Sequence, residues 1–444
     1  MMKKTLSTLG LLALASCSQQ PAAAPPPPPP PPPPVAPAPM ATMPAPAAEA
    51  PKPPPATGAE RAKGFSECWA AWSAKDWAKF GACYAENATS EQVDSGMAPL
   101  VGRKEIVDRT AKMGSEAPDQ TGELELVLVN GNNVAAVALV KGTNAGPLLS
   151  PTGELPATKK KFGLLMGHAA ELTEDGRAVA HDRQYFDAGT FLGQLGLVKM
   201  PHRKVLEKGA AEKPVVVATG SDAEKANLAA AAKTLEAFNK HDVPGLVGML
   251  ADDVVFSDVS APADRVGKKA VEKSYKDMFK AFSDLKLEVA RAWPAGDYLV
   301  WEGSFVGTND GAMPSMGINK PTGKKVSARY LEIDKLVNGK VKDMWIFDNG
   351  MAFAMQLGLV PPPGAKPAGG APAPAAQAGA PGAKPGAGPA ASAKAAAPAP
   401  TAAQAPMRKP VAAAPAEPQV PMMKPGAAAP TAPAAGTAAP APKK

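Results

Sequence analysis

The sequence predicts an α+β fold that occurs twice, as two cone-shaped domains in tandem, each with helices covering a curved antiparallel sheet. The first observation is a repeated phrase: GTNAG at 142–146 returns as GTNDG at 307–311, an offset of 165 residues. Neighbouring residues return at the same offset, so that Gly131 matches Gly296. The second observation is the order of patterns within 221–360, where three helices and a strand precede a run of strands. That order is typical of helices packed on one face of an antiparallel sheet.

Each element of the second copy has a local signal. Ser221, with Glu224 three residues later, predicts a capped helix. Pro244 suits the first turn of a second helix. Asn338-Gly339 predicts a two-residue hairpin between the last two strands. The other predicted elements are a strand at 254–259, a helix at 268–281, and strands at 285–293, 298–307, 325–336 and 340–347.

The first 17 residues, MMKKTLSTLGLLALASC, have the layout of a secretory signal, with a positive start and an apolar run too short to span a bilayer. The small residues directly before Cys17 resemble the lipobox of bacterial lipoproteins, in which that cysteine becomes the lipidated first residue. Ser18 follows it, which in that family's sorting pattern indicates the outer membrane. We therefore expect a lipid on Cys17 to anchor the protein to a membrane of the bacterial cell envelope. The alternative is an ordinary signal peptide.

Segments of low complexity surround the two copies. Residues 18–57 are rich in proline and include ten consecutive prolines, which favour polyproline II and predict a disordered stalk. Residues 361–444 are mainly proline, alanine and glycine and lack the apolar periodicity of a core. This tail has eight lysines and arginines and one glutamate, so its net charge of +7 equals that of the whole chain. Because the rest is neutral, we expect no nucleic-acid partner, and the tail lysines either keep the tail soluble or meet anionic envelope polymers. The resulting assignment is a signal at 1–17, a first domain at 58–200, a linker at 201–220 and a second domain at 221–360.

The second copy contains GDYLVWEGSFVGTNDG, PTGKKV, NGKVKDMWIFD and QLGLV in that order. These motifs resemble the SnoaL-like polyketide cyclases and ester cyclases, which have the nuclear-transport-factor-2-like fold. The first copy repeats the resemblance with GTNAGPLLSPTG and with DAGTFLGQLG, which matches the family's ending at Asp187 and at 194–196. One departure is that Asn144 and Asn309 stand where the family commonly has histidine.

The resemblance implies a reaction without metal or cofactor, in which a carboxylate near the end of the last strand moves a proton while the substrate enolises. An apolar cone would raise the pKa of such a carboxylate towards neutrality. Matching by position gives Asp187 and Asp348 as candidate catalytic residues, with Asp182 and Asp343 as alternates deeper in the strand. The alternative is that all four are solvated aspartates at strand ends.

Hairpin register separates these candidates. If residues equidistant from a two-residue turn face each other, Arg329 faces Asp348 and holds that carboxylate ionised, which is wrong for a proton shuttle. The first domain is therefore the better enzyme candidate. The predicted pairs are Arg329 with Asp348, Tyr330 with Phe347, Asp343 with Asp334 and, from a turn at Asp175-Gly176, Asp187 with Leu164.

Few other residues carry chemistry. The four histidines show no metal-ligand spacing, so no metal is expected. Cys68 and Cys83 lie on helices either side of one turn and form either a disulfide or two buried thiols. Tryptophans of the second domain line a pocket or belong to the core. The ligand-pocket candidates are Asn144, His168, Tyr185, Asn309, Trp301 and Trp345.

Two functions therefore stand. The favoured interpretation is an anchored module whose domains bind a small hydrophobic ligand or serve as a scaffold, with pairing between the two domains left open. The alternative is a cofactor-independent cyclase or isomerase that uses a pocket aspartate as general acid and base.

Overall fold

The computed structural model describes residues 53–151 and 153–361. The described residues from Pro54 onward belong to one compact unit. Residues 1–52, with Cys17 and most of the proline-rich segment, and residues 362–444 of the basic tail lie outside the described residues, so the predictions made for them remain predictions. Residues 53–57, predicted to belong to the disordered stalk, are described, and Thr57 caps the first helix.

The first domain has four helices and eight strands. Two helices open it, a third crosses the sheet, and a short fourth helix closes it. The elements are α1 (Gly58–Ser73), α2 (Trp77–Ala82), β1 (Tyr84–Gln92), β2 (Leu100–Val101), α3 (Arg103–Glu116), β3 (Thr121–Asn130), β4 (Asn133–Thr143), β5 (Leu148–Ser150), β6 (Gly153–Leu155), β7 (Lys161–Leu172), β8 (Val179–Tyr185) and α4 (Ala188–Gln194).

The second domain repeats this order after a linker strand, β9 (Val215–Val217). A short 3-10 turn replaces the β5–β6 hairpin of the first domain. The elements are α5 (Asp222–Asn239), α6 (Val243–Gly248), β10 (Leu250–Asp258), β11 (Arg265–Val266), α7 (Lys268–Ala281), β12 (Lys286–Ala295), β13 (Tyr298–Thr308), β14 (Lys325–Val337), β15 (Lys340–Phe347) and α8 (Gly350–Gln356).

The two sheets have the same strand order, which confirms the predicted tandem α+β fold. The first is β2-β1-β8-β7-β4-β3-β9 and the second is β11-β10-β15-β14-β13-β12. Neighbours are antiparallel except that β1 runs parallel to β8, β10 to β15 and β9 to β3. The linker strand β9 thus extends the edge of the first sheet, and β12 is the edge strand of the second.

Matching local signals start the helices. Thr57 caps α1 and Ser221 caps α5, each in a reciprocal capping box with a glutamate three residues on. The helices α3 and α7 instead follow Gly102 and Gly267, whose φ angles of 90° and 82° favour glycine. The two copies therefore begin their helices with the same chemistry at matching positions.

Each cone has its own apolar interior. Helices and the inner sheet face enclose it, and burial of each large apolar side chain contributes about 1.5–3 kcal/mol. A further apolar cluster lies between the outer faces of the two sheets, with Val137 and Tyr185 from the first domain and Val300 and Phe347 from the second. The two interiors are thus separate, and a shared apolar layer joins the sheets.

A buried ionic network also crosses between the domains. The carboxylate of Glu302 accepts hydrogen bonds from Arg183 Nε at 2.6 Å, Arg183 Nη2 at 2.9 Å and Tyr185 Oη at 2.8 Å. Arg291 Nη1 adds a bond of 3.1 Å. Burial opposes ionisation of Glu302, but Arg183, Tyr185 and Arg291 outweigh it, so the pKa of Glu302 lies below its ordinary value. Paired charges of this kind fix how the sheets face each other.

The predicted hairpin at Asn338-Gly339 forms, with φ angles of 52° and 71°, but a bulge changes its register. Val337 pairs with Lys340 as expected, and beyond the bulge Lys335 pairs with Asp343 and Leu331 with Phe347. The predicted pairs Tyr330–Phe347, Asp343–Asp334 and Arg329–Asp348 are therefore wrong. One extra residue in β15 reverses which side chains share a face.

Candidate functional site

A cavity of about 1130 Å³ lies in the first domain between α1, α3 and the inner face of the sheet. Its walls are mostly apolar, and both Trp69 and Trp72 of α1 contribute to them. Inward residues of β7 follow the period of two that a strand imposes, and they include Leu164, Met166 and His168. A cavity of this size accommodates a small organic molecule.

His168 and Asp182 form the polar end of this cavity. His168 Nδ1 lies 3.2 Å from Asp182 Oδ1, and the two side chains are 6% and 4% exposed. The edge of the His168 ring packs against the Trp69 ring, with 4.8 Å between centroids. His168 Nε2 is buried and has no hydrogen-bond partner among the described residues. The imidazole therefore presents one nitrogen to the carboxylate and keeps the other free.

Strand register brings this pair together. His168 on β7 faces Gln184 on β8, while Ala170 faces Asp182, so His168 and Asp182 are diagonal neighbours on the inner face. Gln184 Nε2 donates to Asp182 Oδ2 at 2.9 Å. Diagonal neighbours lie within reach of long or aromatic side chains, so the sheet itself fixes the pair.

The strand β1 supplies two more donors to Asp182. Tyr84 Oη and Ser90 Oγ lie 3.3 and 3.4 Å from Asp182 Oδ2. Burial opposes ionisation of Asp182, but electrostatic attraction to His168 and hydrogen bonds from His168, Gln184 and Tyr84 outweigh it. The pKa of Asp182 therefore lies below its ordinary value, which differs from the raised pKa expected of a shuttle carboxylate. Asp182 is suited to orient His168 rather than to carry the proton itself.

Glu116, at the end of α3, is a second carboxyl group on the cavity wall. It is 7% exposed, and its backbone carbonyl accepts hydrogen bonds from Ala145 and Gly146 of the GTNAG loop. Burial raises the pKa of Glu116, while Lys112 and Arg109 oppose that rise. No periodic pattern or motif in the sequence points to Glu116, because its position depends on the loop that folds back onto α3.

Asp187 lies outside the cavity wall. It is the N-cap of α4, where its Oδ1 accepts from Gly189 N at 3.1 Å and its Oδ2 from Thr190 N at 2.6 Å. The strand β8 ends at Tyr185, so the predicted pairing of Asp187 with Leu164 is wrong. Burial raises the pKa of Asp187, and the hydrogen bonds from Thr190 and Gly189 oppose the rise. A short polar side chain at this place is the usual helix cap.

The aspartates of the second domain lie away from this cavity too. Asn349, not Asp348, is the N-cap of α8 and matches Asp187. Burial raises the pKa of Asp348, and nearby Asp258 and Asp187 raise it further. Asp343 is half-buried on β15, and burial raises its pKa against the opposing charge of Lys335. Neither Asp348 nor Asp343 lines the cavity of the first domain.

The repeated asparagines hold loops together. Asn144 and Asn309 are both fully buried, and each accepts a hydrogen bond from the backbone amide of Thr158 or Thr322. Their side-chain amides donate to the carbonyls of residues 146 and 311. These bonds close the loop between two strands in each domain, which explains why the phrase occurs twice. Asn144 does not line the cavity.

The aromatic candidates fall into two places. Tyr185 lies between the domains and donates to Glu302, and Trp345 packs against the same inter-sheet cluster. Trp301 is buried inside the second cone, where its Nε1 donates to Asp334 Oδ2 at 3.0 Å. Of the predicted pocket residues, only His168 lines the cavity of the first domain.

Cys68 and Cys83 are joined by a disulfide, which ties α1 to the end of α2. Within residues 53–151 and 153–361, no group of three or more histidine, cysteine or acidic side chains is arranged to hold a metal ion. No helix of that part of the chain combines the length and apolar character needed to cross a bilayer.

Family models match both domains. A SnoaL-like domain matches residues 65–181, and a SnoaL-like polyketide cyclase matches residues 229–357; together these matches span more than half of the chain. No curated protein matches the chain.

Solved structures resemble single domains of this chain. AclR, a candidate hydroxylase from Streptomyces galilaeus, shares 25% identity over 31% of this chain and 99% of its own, with a TM-score of 0.28. A candidate SnoaL-like polyketide cyclase from Jannaschia sp. CCS1 shares 17% identity over 32% of this chain and 97% of its own, with a TM-score of 0.29. An NTF2-like protein from Burkholderia pseudomallei K96243 shares 15% identity over 30% of this chain and 97% of its own, with a TM-score of 0.26.

Fold and site together define a protein built from two helix-and-sheet cones, one of which holds an apolar cavity with a buried carboxylate–imidazole pair. The chain belongs to the SnoaL-like family, with two SnoaL-like domains in tandem.

Proposed function

We propose that the first domain binds a small, mainly apolar molecule and moves a proton on it through His168, which Asp182 holds in place. One observation carries this proposal: His168 lines the cavity and its buried Nε2 has no partner among the described residues, while its Nδ1 lies 3.2 Å from Asp182. Buried polar atoms normally have partners, and a catalytic role is one explanation for a buried atom without one.

The geometry suits proton abstraction next to a carbonyl group. Ionised Asp182 accepts the N–H of His168 Nδ1, which leaves the lone pair on Nε2. Nε2 takes the proton from carbon, and the electron pair of the broken C–H bond moves to the carbonyl oxygen as an enolate. Asp182 stabilises the imidazolium that forms. When a carbon–carbon double bond of the ligand is conjugated with the enolate, return of the proton to the far carbon of that system shifts the double bond and completes an isomerisation. No external oxidant or reductant is required.

Glu116 supports this chemistry from another part of the wall. Burial raises the pKa of Glu116, and a carboxyl group that keeps its proton in an apolar site stabilises an enolate oxygen. The ligand therefore has an apolar body and at least one carbonyl oxygen.

Binding without chemistry is the second candidate function. The large and mostly apolar wall favours it, since shape and apolar contact alone hold a hydrophobic ligand. The two functions differ in whether removal of Nε2 changes a rate or only an affinity.

Deuterium exchange at an activated C–H bond separates the two functions. With 2-tetralone in D₂O, NMR should show α-deuteration faster with the full chain than with buffer alone. His168→Gln and Asp182→Asn should each slow that exchange about a hundredfold. The matched control is Asp187→Asn, since the second domain already has Asn349 at that position.

A wild-type rate equal to that of buffer, together with saturable binding of the ketone, would leave binding as the function. Exchange that survives both His168→Gln and Asp182→Asn would remove the pair from the mechanism.

We also propose that the lipid anchor holds this module on the outer membrane, on the support of the signal and cysteine in residues 1–17. Cys17→Ser should move the protein from the membrane fraction to the soluble periplasmic fraction. Retention of the variant on the membrane would contradict lipid anchoring.

A further inference from the structure

We propose that the second domain helps to determine which ligands the first domain binds, because Met351 and Met355 of its helix α8 form part of the cavity wall. The inference rests on the proposed binding function, because it concerns the same cavity.

The helix α8 forms part of the cavity wall although it belongs to the other domain. Asn349, Met351 and Met355 all line the cavity. Met351 is 3% exposed, and its backbone amide lies 3.4 Å from Asp187 Oδ1 of the first domain. The cavity is therefore complete only when both domains are present.

The loop at the cavity mouth depends on the second domain as well. Asp94 accepts two hydrogen bonds from Arg329, from the backbone amide at 2.8 Å and from Nε at 3.0 Å. Arg329 Nη1 also donates to Glu91 at 2.7 Å, and Asn349 Nδ2 donates to the carbonyl of Asp94 at 3.1 Å. Residues 95–99 directly follow Asp94 and line the cavity. Contacts from the second domain thus set the position of this wall.

The methionines are not required by the fold. The matching positions of α4, counted from the N-cap, are Gly189 and Gly193. In α4 the linker covers these glycines, since a Cβ there would meet Met200 or His202. One copy of the fold therefore has no side chain at either place, and the other has two long apolar ones that face a cavity.

Methionine suits a wall that selects by shape. Its unbranched thioether adapts to irregular apolar surfaces. The opposite side of α8 is fixed in the second domain, where Phe353 packs against Phe282 and Leu357 is buried. A fixed helix with two adaptable side chains gives a wall that responds to the size of the ligand.

The test uses the full chain and two fluorescent probes of different size, 1-anilinonaphthalene-8-sulfonate and its dimer bis-ANS. The double variant Met351→Ala/Met355→Ala widens the cavity, so the affinity for bis-ANS should rise about tenfold relative to the smaller probe. Met355→Trp narrows the cavity, so binding of bis-ANS should weaken about tenfold while thermal stability is retained.

The matched control is Met278→Ala, which removes the same side chain from α7, where it packs against the second domain's own core. It should leave the ratio of the two affinities unchanged. One outcome would overturn only the role of α8. In that outcome both probes bind, and Met166→Tyr weakens their binding, but the ratio of their affinities is the same in the wild type and in every α8 variant. Failure of the wild-type chain to bind either probe would overturn the proposed binding function and this inference with it.

Discussion

The two cones have the same strand order and different interiors. Matched by register and helix position, four residues of the first cone are smaller than their partners in the second. The matched pairs are Thr110 with Tyr275, Gly114 with Phe279, Val140 with Phe305 and Met166 with Tyr330. The four aromatic rings occupy the apolar interior of the second cone. At these positions the two cones therefore differ in side-chain volume rather than in topology.

The polar groups differ as well. His168 matches Glu332, and Asp182 matches Met344, so the second cone lacks the carboxylate–imidazole pair. It has instead a buried pair of acids, Glu332 and Asp334. The two copies thus retain similar loop and cap residues, while the side chains of their interiors differ in size and charge.

The largest effect is expected from breaking the link between the cones. Glu302→Ala leaves Arg183 buried without its main partner, which should lower the free energy of unfolding by about 3–5 kcal/mol. Chemical denaturation checks this. Glu288→Ala is the control, because Glu288 is exposed on the edge strand β12. A loss below about 1 kcal/mol would show that the network does not hold the domains together.

The buried acids should make the stability of the second cone depend on pH. Burial raises the pKa of Asp334 to about 7, and burial together with Asp334 raises that of Glu332. Because unfolded carboxyl groups ionise near pH 4, the stability from the neutral form is fully present below that pH and is lost as pH rises through about 7.

Asp334→Asn keeps an acceptor for Trp301 and removes the charge. The variant should gain about 2 kcal/mol over wild type between pH 5 and pH 8, measured by denaturation at each pH. Asp252→Asn, at an aspartate whose side chain is 94% exposed, is the control. Equal pH slopes for wild type and Asp334→Asn would contradict a raised pKa of Asp334.

A side chain from the second cone, placed at the matching position of the first, should fill part of the cavity. Met166→Tyr puts the residue of position 330 onto the cavity wall, and probe affinity should fall about tenfold, or 1.4 kcal/mol. Fluorescence titration measures the loss. The reverse change, Tyr330→Met, is the control and should leave affinity in the first cone as it is. Unchanged binding in Met166→Tyr would place the ligand elsewhere.

The smallest expected difference concerns two matching glutamines. Gln194 clamps both backbone groups of Gly163 at 3.0 Å, and Gln356 does the same to Ser327 at 2.8 and 3.0 Å. Only Gln194 is buried, so Gln194→Ala should cost about 1 kcal/mol more than Gln356→Ala. Equal losses in thermal denaturation would show that burial of the clamp is unimportant.

Local signals predicted the fold well because they act within a few residues. The cap at Ser221, the helix over 268–281 and the turn at Asn338-Gly339 all formed where expected. The predicted register of β15 is wrong because a single bulge, which shifts the register between Lys335 and Leu336, has no local sequence signal. Every pairing inferred beyond that bulge was displaced with it.

The candidate site was predicted less well for a related reason. His168 and Asp182 were both among the candidates, but their partnership depends on a diagonal contact that only the correct register gives. Asp187 carried the family motif and turned out to cap a helix. The contribution of α8 depends on contacts between domains, which a repeat in the sequence does not encode.

The linker strand β9 determines where a stable fragment of the first domain must end. Val215–Val217 hydrogen-bonds along β3, and Ala218 N donates to Val129 O, so this segment completes the first sheet before the second domain begins. A fragment that ends near residue 201 would leave the edge of β3 unpaired, and unpaired edge strands bind strands of other chains and cause aggregation. A soluble fragment of the first domain must therefore extend through Ala218. The linker between the two domains is thus a structural part of the first domain.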